Sequence, residues 1–471
     1  MKRHGMRRRG LLAATAAALA PATLGAQPPT PSLDELARRA AIYLFPVYEM
    51  CRARWQATVD ETNPLRQRLN RFRHAERLGE WRGAGVPDDD MLSSSAWLDL
   101  SIEPLFLTVP PLGDLYYCYA FLDLFTNNFA YVSHRLHGGA PPPHMIVGPR
   151  WSGDAPSEVT VIRAPTDSVW LLGRLLVQDP EEIERVGILQ RRTLLETPDM
   201  RNERRILETG ELMRHRATAP AEPLADWQLP NADDPFDLFD TTLKALGGSR
   251  LRERDRAAFE GLAPLRLKPG RRFDRRGFSK ADQRRIESGI RQGLSDIREA
   301  GSLFGRTVDG WTYPEGHIGN SGGDHLYRAH VAHTRLGAVA AAEVVCVTCT
   351  TDADGRPLSG AHRYRLALPA DALPPTRTVW TLAAYPMEAG RPGSRPVGRL
   401  SVGDGARELQ RGEDGFFTIG LQHAPPEKGS AANWLAAPAG AMMLVLRIYA
   451  PAESLLAGHY RLPAIQRNSP A

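Results

Sequence analysis

Short apolar runs broken by Pro, Gly and Asn dominate two stretches of this chain, and each stretch predicts a set of strands. The first set covers 96–100, 104–109, 115–122, 129–133, 144–147, 159–163 and 169–175. The second covers 344–348, 363–368, 379–384, 415–421 and 442–449, with Asp352-Ala353-Asp354-Gly355 as a turn between two of them. Strands this short and this closely spaced predict sandwiches, not alternating β-α units. Helical periodicity is found elsewhere. Ser32-Leu33-Asp34-Glu35 is a capping box that opens a helix through Leu36, Ile42 and Tyr43, with Pro46 expected to kink or interrupt it. Pro180-Glu181-Glu182 starts a second helix carrying Ile183, Val186 and Leu189. After Ser279 comes the clearest stripe, Ile286, Ile290, Leu294 and Ile297, at three- and four-residue steps. The fold class that follows is α+β, mostly β: two β-sandwich, jelly-roll-like units with N-terminal and inter-domain helices. Their expected bounds are 27–196 and 236–470, joined by a polar, Pro-bearing linker over 197–235.

The first residues obey neither period. A basic head (Lys2, Arg3, Arg7, Arg8, Arg9), a short Ala-rich apolar run and a small-residue end at Ala26 form the three parts of an export signal. Arg8-Arg9-Gly10-Leu11-Leu12 fits the twin-arginine pattern, with the general secretory route as the alternative. The expected location is therefore periplasmic or secreted after cleavage near Ala26. The apolar run is shorter than the roughly 20 residues a bilayer span needs, so no permanent membrane span is expected.

The signal changes what the composition means. The 471 residues carry 59 Lys plus Arg against 54 Asp plus Glu, a formal +5. Cleavage near Ala26 would remove five bases and no acid, leaving 54 of each. A neutral mature chain gives no overall basic field for nucleic acid, and that partner is excluded at the level of total charge. Cys51, Cys118, Cys346 and Cys349 are too few to scaffold a chain this long. Cys346 and Cys349 have redox spacing, but on a strand they point to opposite faces.

Several stretches together resemble a known bacterial family. In the N-terminal half these are Asp90 ahead of Ala96-Trp97-Leu98-Asp99-Leu100-Ser101, then Tyr116-Tyr117 with Asp123 and Thr126-Asn127. They continue with Ile146-Val147-Gly148-Pro149-Arg150-Trp151, Val161-Ile162-Arg163-Ala164-Pro165-Thr166 and Val169-Trp170-Leu171-Leu172-Gly173-Arg174. In the C-terminal half they are Asp324-His325-Leu326-Tyr327-Arg328-Ala329, Val379-Trp380-Thr381-Leu382, Asn433-Trp434-Leu435-Ala436-Ala437-Pro438 and Arg447-Ile448-Tyr449-Ala450-Pro451. The chain resembles proteins that pair the domains of unknown function 1254 and 1214. The resemblance implies β-sandwich units with a helical insert, frequent homo-oligomers, and an association with phosphatase activity on inositol phosphates. Two departures stand out. Asp88-Asp89-Asp90-Met91-Leu92-Ser93-Ser94 lacks the family's usual Asn and Tyr, and Pro386 follows Tyr385 where an acid is common.

There is no P-loop, dinucleotide fingerprint or H-E-x-x-H in the chain, which disfavours the commonest nucleotide and metalloprotease mechanisms. His317, His325, His330 and His333 lie close in sequence; on a helix His330 and His333 share a face, making them candidate ligands for a divalent metal, although no cofactor is required by the pattern. Arg163 and Arg174 end apolar runs, where each guanidinium needs a carboxylate, a carbonyl or an anionic ligand. One reading pairs such arginines with Asp99, Asp123 or Glu343. The other brings Arg163, Arg174 and Arg328 together with Tyr116, Asn127 and Asn433 on a small anionic molecule. Asp90 is then the general acid or base, with Asp88 or Asp89 as substitutes. The expected function is an exported hydrolase of a phosphorylated or otherwise anionic small molecule. Its competitor is a non-catalytic envelope protein that binds a ligand or assembles.

Overall fold

A computed structural model describes residues 31–80, 89–209, 230–388, 391–393, 401–403, 409–426 and 431–468. The expected export segment and Asp88 lie outside the described residues. The chain is mostly β, with sheets that stay open and helices packed beside them.

Seven strands were expected in the first half, and all seven form, with Leu194–Glu196 in addition. They divide between two sheets. One runs in the order Arg73–His74, Met91–Asp99, Ser168–Leu176, Tyr117–Leu122, Asn128–Ser133; the other in the order Thr160–Arg163, His144–Val147, Leu105–Thr108, Leu194–Glu196. Alternation of side chains along these strands gives the first sheet two faces. Leu92, Ala96, Leu98, Tyr119, Phe121, Val169 and Leu171 meet Leu105, Leu107 and Ile146 of the second sheet, forming a sandwich core. Met91, Trp97, Cys118, Ala120, Leu122 and Leu172 point the other way, into a helical layer. Every residue of Met91–Asp99 is buried as a result.

The second half repeats the architecture. A sheet built on Val344–Cys349, Met442–Tyr449 and Trp380–Glu388 faces one built on Tyr364–Pro369 and Phe416–Gln422. Val347, Leu382, Leu446 and Ile448 interdigitate with Leu366, Leu368, Ile419 and Leu421. The expected turn at Asp352–Gly355 is present, with Gly355 at φ 77°.

The helical layer departs most from expectation. The first helix, Leu33–Thr58, runs straight through Pro46 for 26 residues. An internal Pro removes one backbone hydrogen bond and costs about 3 kcal/mol in isolation. Burial of every residue from Ala40 to Cys51, on all sides of the helix, offsets that cost. The linker also differs, since Pro198–Thr209 is helical. Lys280–Glu299 forms as expected, with the Ser279 hydroxyl accepting from the Asp282 amide at 3.1 Å. It lies against the first helix through glycines. A Cβ on Gly289 would stand 2.1 Å from the Asp34 carbonyl oxygen, and one on Gly293 would stand 2.8 Å from that of Arg38.

This close approach gives a test. Gly289→Val must push the two helices apart, and overpacking of this kind costs about 1 to 3 kcal/mol. The expected result is a lower denaturant midpoint with unchanged slope, whereas Gln292→Ala on the exposed side of the same helix leaves the midpoint nearly unmoved.

Candidate functional site

Two of the stretches singled out in the sequence meet at an open groove on the first sandwich. Strands His144–Val147 and Thr160–Arg163 pair in parallel, with Val147 opposite Arg163. Parallel pairing brings the residues that follow Val147 alongside Arg163. The groove is lined by Arg150, Trp151, Arg163, Gly248, Ser249 and Arg250. Arg163 donates to the carbonyls of Trp151 at 2.7 Å and Gly148 at 3.3 Å, and its guanidinium lies 5.7 Å from the Trp151 ring centroid. Carbonyls orient the cation without neutralising it, so its charge remains available to an anion.

A carboxylate lies just behind the groove. Asp167 accepts from Arg150 at 2.8 Å and is 3% exposed. Burial pushes its carboxyl up to about 6, partly countered by Arg150. Gly248 separates it from the groove: a Cβ there would stand 1.9 Å from Asp167 Oδ2. The Ser249 hydroxyl is buried and has no hydrogen-bond partner. Sequence reasoning reached Arg163 but missed Arg150, Asp167 and Arg250. The signal for the first two was present, since Arg150 and Asp167 sit within or directly beside the stretches carrying the family resemblance.

Asp90 lies elsewhere, in the seam where the two sandwiches meet. It is completely buried, and its Oδ2 accepts from the hydroxyls of Thr381 at 2.9 Å and Tyr449 at 3.2 Å. Arg447 stands 3.7 Å from Oδ1 and also donates to Tyr385 at 3.3 Å. Thr381 and Arg447 are cross-strand neighbours, so the sheet presents both to the same carboxylate. Each of these neighbours is a donor, so Asp90 serves as an acceptor joining two sheets. Asp89 is buried beside it. Tyr116 adjoins the seam, its ring 4.7 Å from that of Tyr449 and its hydroxyl donating to the Glu343 carbonyl at 3.3 Å. Burial raises the Tyr116 pKa well above that of a free tyrosine, keeping it a neutral donor.

The three arginines expected to form one clamp go to different places. Arg163 faces the groove, whereas Arg328 lines a separate narrow cavity together with Asn127. Arg174 donates to the Gly337 carbonyl at 3.0 Å. The cause is topological: Arg163 and Arg174 are close in sequence, but their strands belong to different sheets of the sandwich. The carboxylates named as structural partners are indeed paired, but with other arginines. Asp99 stands 3.9 Å from Arg54, Asp123 2.9 Å from Arg252, and Glu343 2.6 Å from Arg135. Asn433 is occupied locally, donating to the carbonyls of Gln410 and Thr418 and accepting from the Gln410 amide.

His330 turns Nδ1 toward the Ile297 carbonyl at 3.1 Å, and His333 packs beside Phe45, where burial lowers its pKa. Among the described residues no third His, Cys, Asp or Glu joins them in a group able to hold a metal. Cys346 is half-buried and Cys349 buried. No described helix is long and apolar enough to cross a membrane.

Comparison with known proteins places these features in families. Residues 69–197 match the model of a protein of unknown function, DUF1254, and residues 343–453 that of a second, DUF1214. A crystal structure of the VPA0106 protein from Vibrio parahaemolyticus is similar at a TM-score of 0.73 and 18% identity, covering 93% of this chain and 100% of that one. That likeness establishes a shared fold. An uncharacterized protein from Burkholderia cenocepacia gives a TM-score of 0.41 at 10% identity over 90% of this chain and 86% of that one. No curated protein matches.

Two outcomes follow from the site geometry. Asp90→Ala removes the acceptor of two hydroxyls and the charge beside Arg447, and should cost about 3 kcal/mol in a denaturant titration. Asp167 has the opposite signature. Its folded pKa of about 6 lies above the ordinary value near 4, so the folded state keeps a proton that the unfolded chain has released. Its contribution to stability should therefore fall as pH rises from about 4 to 6 and level off above that. Asp167→Asn should lose that component of the pH slope.

Proposed function

Taking as premise that the chain belongs to the DUF1254 and DUF1214 families, we propose that it is an exported protein that binds a small phosphorylated molecule in the Arg150–Arg163–Arg250 groove and hydrolyses its phosphoester. The observation that carries this reading is a groove lined by three arginines and an indole, with the buried Asp167 carboxyl behind Gly248. Guanidiniums match the geometry and charge of a phosphate, and Trp151 offers an apolar face to the rest of the ligand.

The chemistry needs one proton at the right moment. Water attacks phosphorus, the ester P–O bond breaks, and the leaving alkoxide takes its proton from the Asp167 carboxyl. The products are an alcohol and inorganic phosphate; the proton lost by the attacking water goes to solvent and later restores the acid. A carboxyl titrating near 6 is protonated often enough to serve under mildly acidic conditions. The arginines stabilise charge on the phosphoryl oxygens as the bond breaks. Binding without turnover is the second reading. What favours it is the Arg150 contact, which occupies one Asp167 oxygen.

The experiment is phosphate release from a panel of phosphate monoesters by the purified full chain, with and without chelator. The hydrolase reading expects release that falls as pH rises through about 6, drops at least tenfold in Asp167→Asn, and weakens through KM in Arg163→Ala. Saturable ester binding with no release establishes the second reading. Neither binding nor release overturns both.

A further inference from the structure

Arg328 raises a question that the groove does not answer. Its side chain comes from the helix His325–Thr334 and is 2% exposed. The guanidinium is stacked 5.1 Å from the Tyr43 ring and 5.3 Å from that of Phe125, and Nη2 donates to the Tyr43 carbonyl at a long 3.4 Å. Nε and Nη1 are buried without any hydrogen-bond partner. Among the described residues no carboxylate oxygen is within ion-pair distance of it. The nearby acids are engaged: Asp123 by Arg252 and by the backbone and side-chain amides of Asn127, Asp255 by the Tyr43 hydroxyl at 2.8 Å.

A buried cation with two unmade donor bonds is costly. Stacking between two aromatic rings recovers part of that cost through the ring quadrupoles, but it satisfies neither N–H. Burial also pulls the Arg328 pKa down, as expected where compensation is incomplete.

Arg328 also borders a cavity. Arg328 lines it with Thr126, Asn127, Ser321 and Arg335, and the remaining wall is largely small or aliphatic side chains and backbone. Two guanidiniums and two hydroxyl-bearing side chains therefore surround a space with no acid in its wall. The space is narrow, with room for about one water-sized group. Water would satisfy the donors, but the acids that offset the charge, Asp255 and Asp123, are already engaged elsewhere; an anion satisfies the donors and adds counter-charge.

We propose that this cavity is a binding site for a single small desolvated anion of halide size, held by Arg328 Nε and Nη1. The site joins Thr126 and Asn127 of the first sandwich to the helix that leads into the second, so the anion fastens these two parts together. It is distinct from the groove, whose ligand is larger and remains exposed to solvent.

The test uses the full chain in a buffer whose only anion is gluconate, too large for the cavity, titrated with bromide at constant ionic strength. The unfolding midpoint should rise with bromide, by a constant increment per tenfold once the site fills. Crystals grown in bromide should show an anomalous peak beside Arg328 Nε and Nη1. Ala332→Val narrows the cavity while keeping Arg328, and should abolish both effects; Arg328→Met should do the same if it folds. A midpoint indifferent to bromide, together with no anomalous peak in the cavity, would mean that the space holds water, and the proposal would fail.

Discussion

Glu343 is completely buried where the two sandwiches meet, and a carboxylate in that position is tolerated only with its counter-charge. Arg135 supplies it at 2.6 Å, with the Ser133 hydroxyl at 3.1 Å. Both come from the end of the first sandwich, and Glu343 immediately precedes the central strand Val344–Cys349 of the second. The same rule operates at Asp90, which takes hydroxyls and a guanidinium from the opposite sandwich, and at Arg54 with Asp99. These pairs need not make the protein more stable than an apolar seam would. They do penalise any other docking of the two sandwiches, because a slipped register would leave charges buried alone.

The strands were legible because their constraint is local. Apolar runs in Met91–Asp99 or Met442–Tyr449, bounded by turn residues, have few alternatives to a buried strand. Helix Lys280–Glu299 was legible for a similar reason, with a side-chain cap and one apolar stripe. Helix Leu33–Thr58 was only half legible. Its start is encoded by neighbouring residues, but its continuation through Pro46 depends on packing against residues more than 200 positions away. No local rule can anticipate that.

The site was less legible, and charge explains why. Sequence identifies an arginine that will need a partner; it does not say which carboxylate or carbonyl will be nearest. Asp99, Asp123 and Glu343 were sensible counter-ions, and all three are engaged, but with Arg54, Arg252 and Arg135. Arg250 reaches the groove from the connection between helices Asp237–Ala245 and Glu253–Gly261, about ninety residues after Arg163. Arg328 shows the other limit, since an unmade bond is visible only when every neighbour is in place. With 59 bases against 54 acids in the whole chain, local arrangement and not total charge decides where an anion can bind.

The glycine contact between the first helix and Lys280–Glu299 also bears on how the chain is made. The middle of the first helix, Ala40 to Cys51, is all core, yet its partner is synthesised some 250 residues later. Until then a long apolar helix has only part of its final cover, and closing so large a loop is slow. The first sandwich can shield one side of it, through the sheet face that carries Trp97 and Leu122. Completion of the core must wait for a late segment, which makes the emerging chain a natural client for a chaperone.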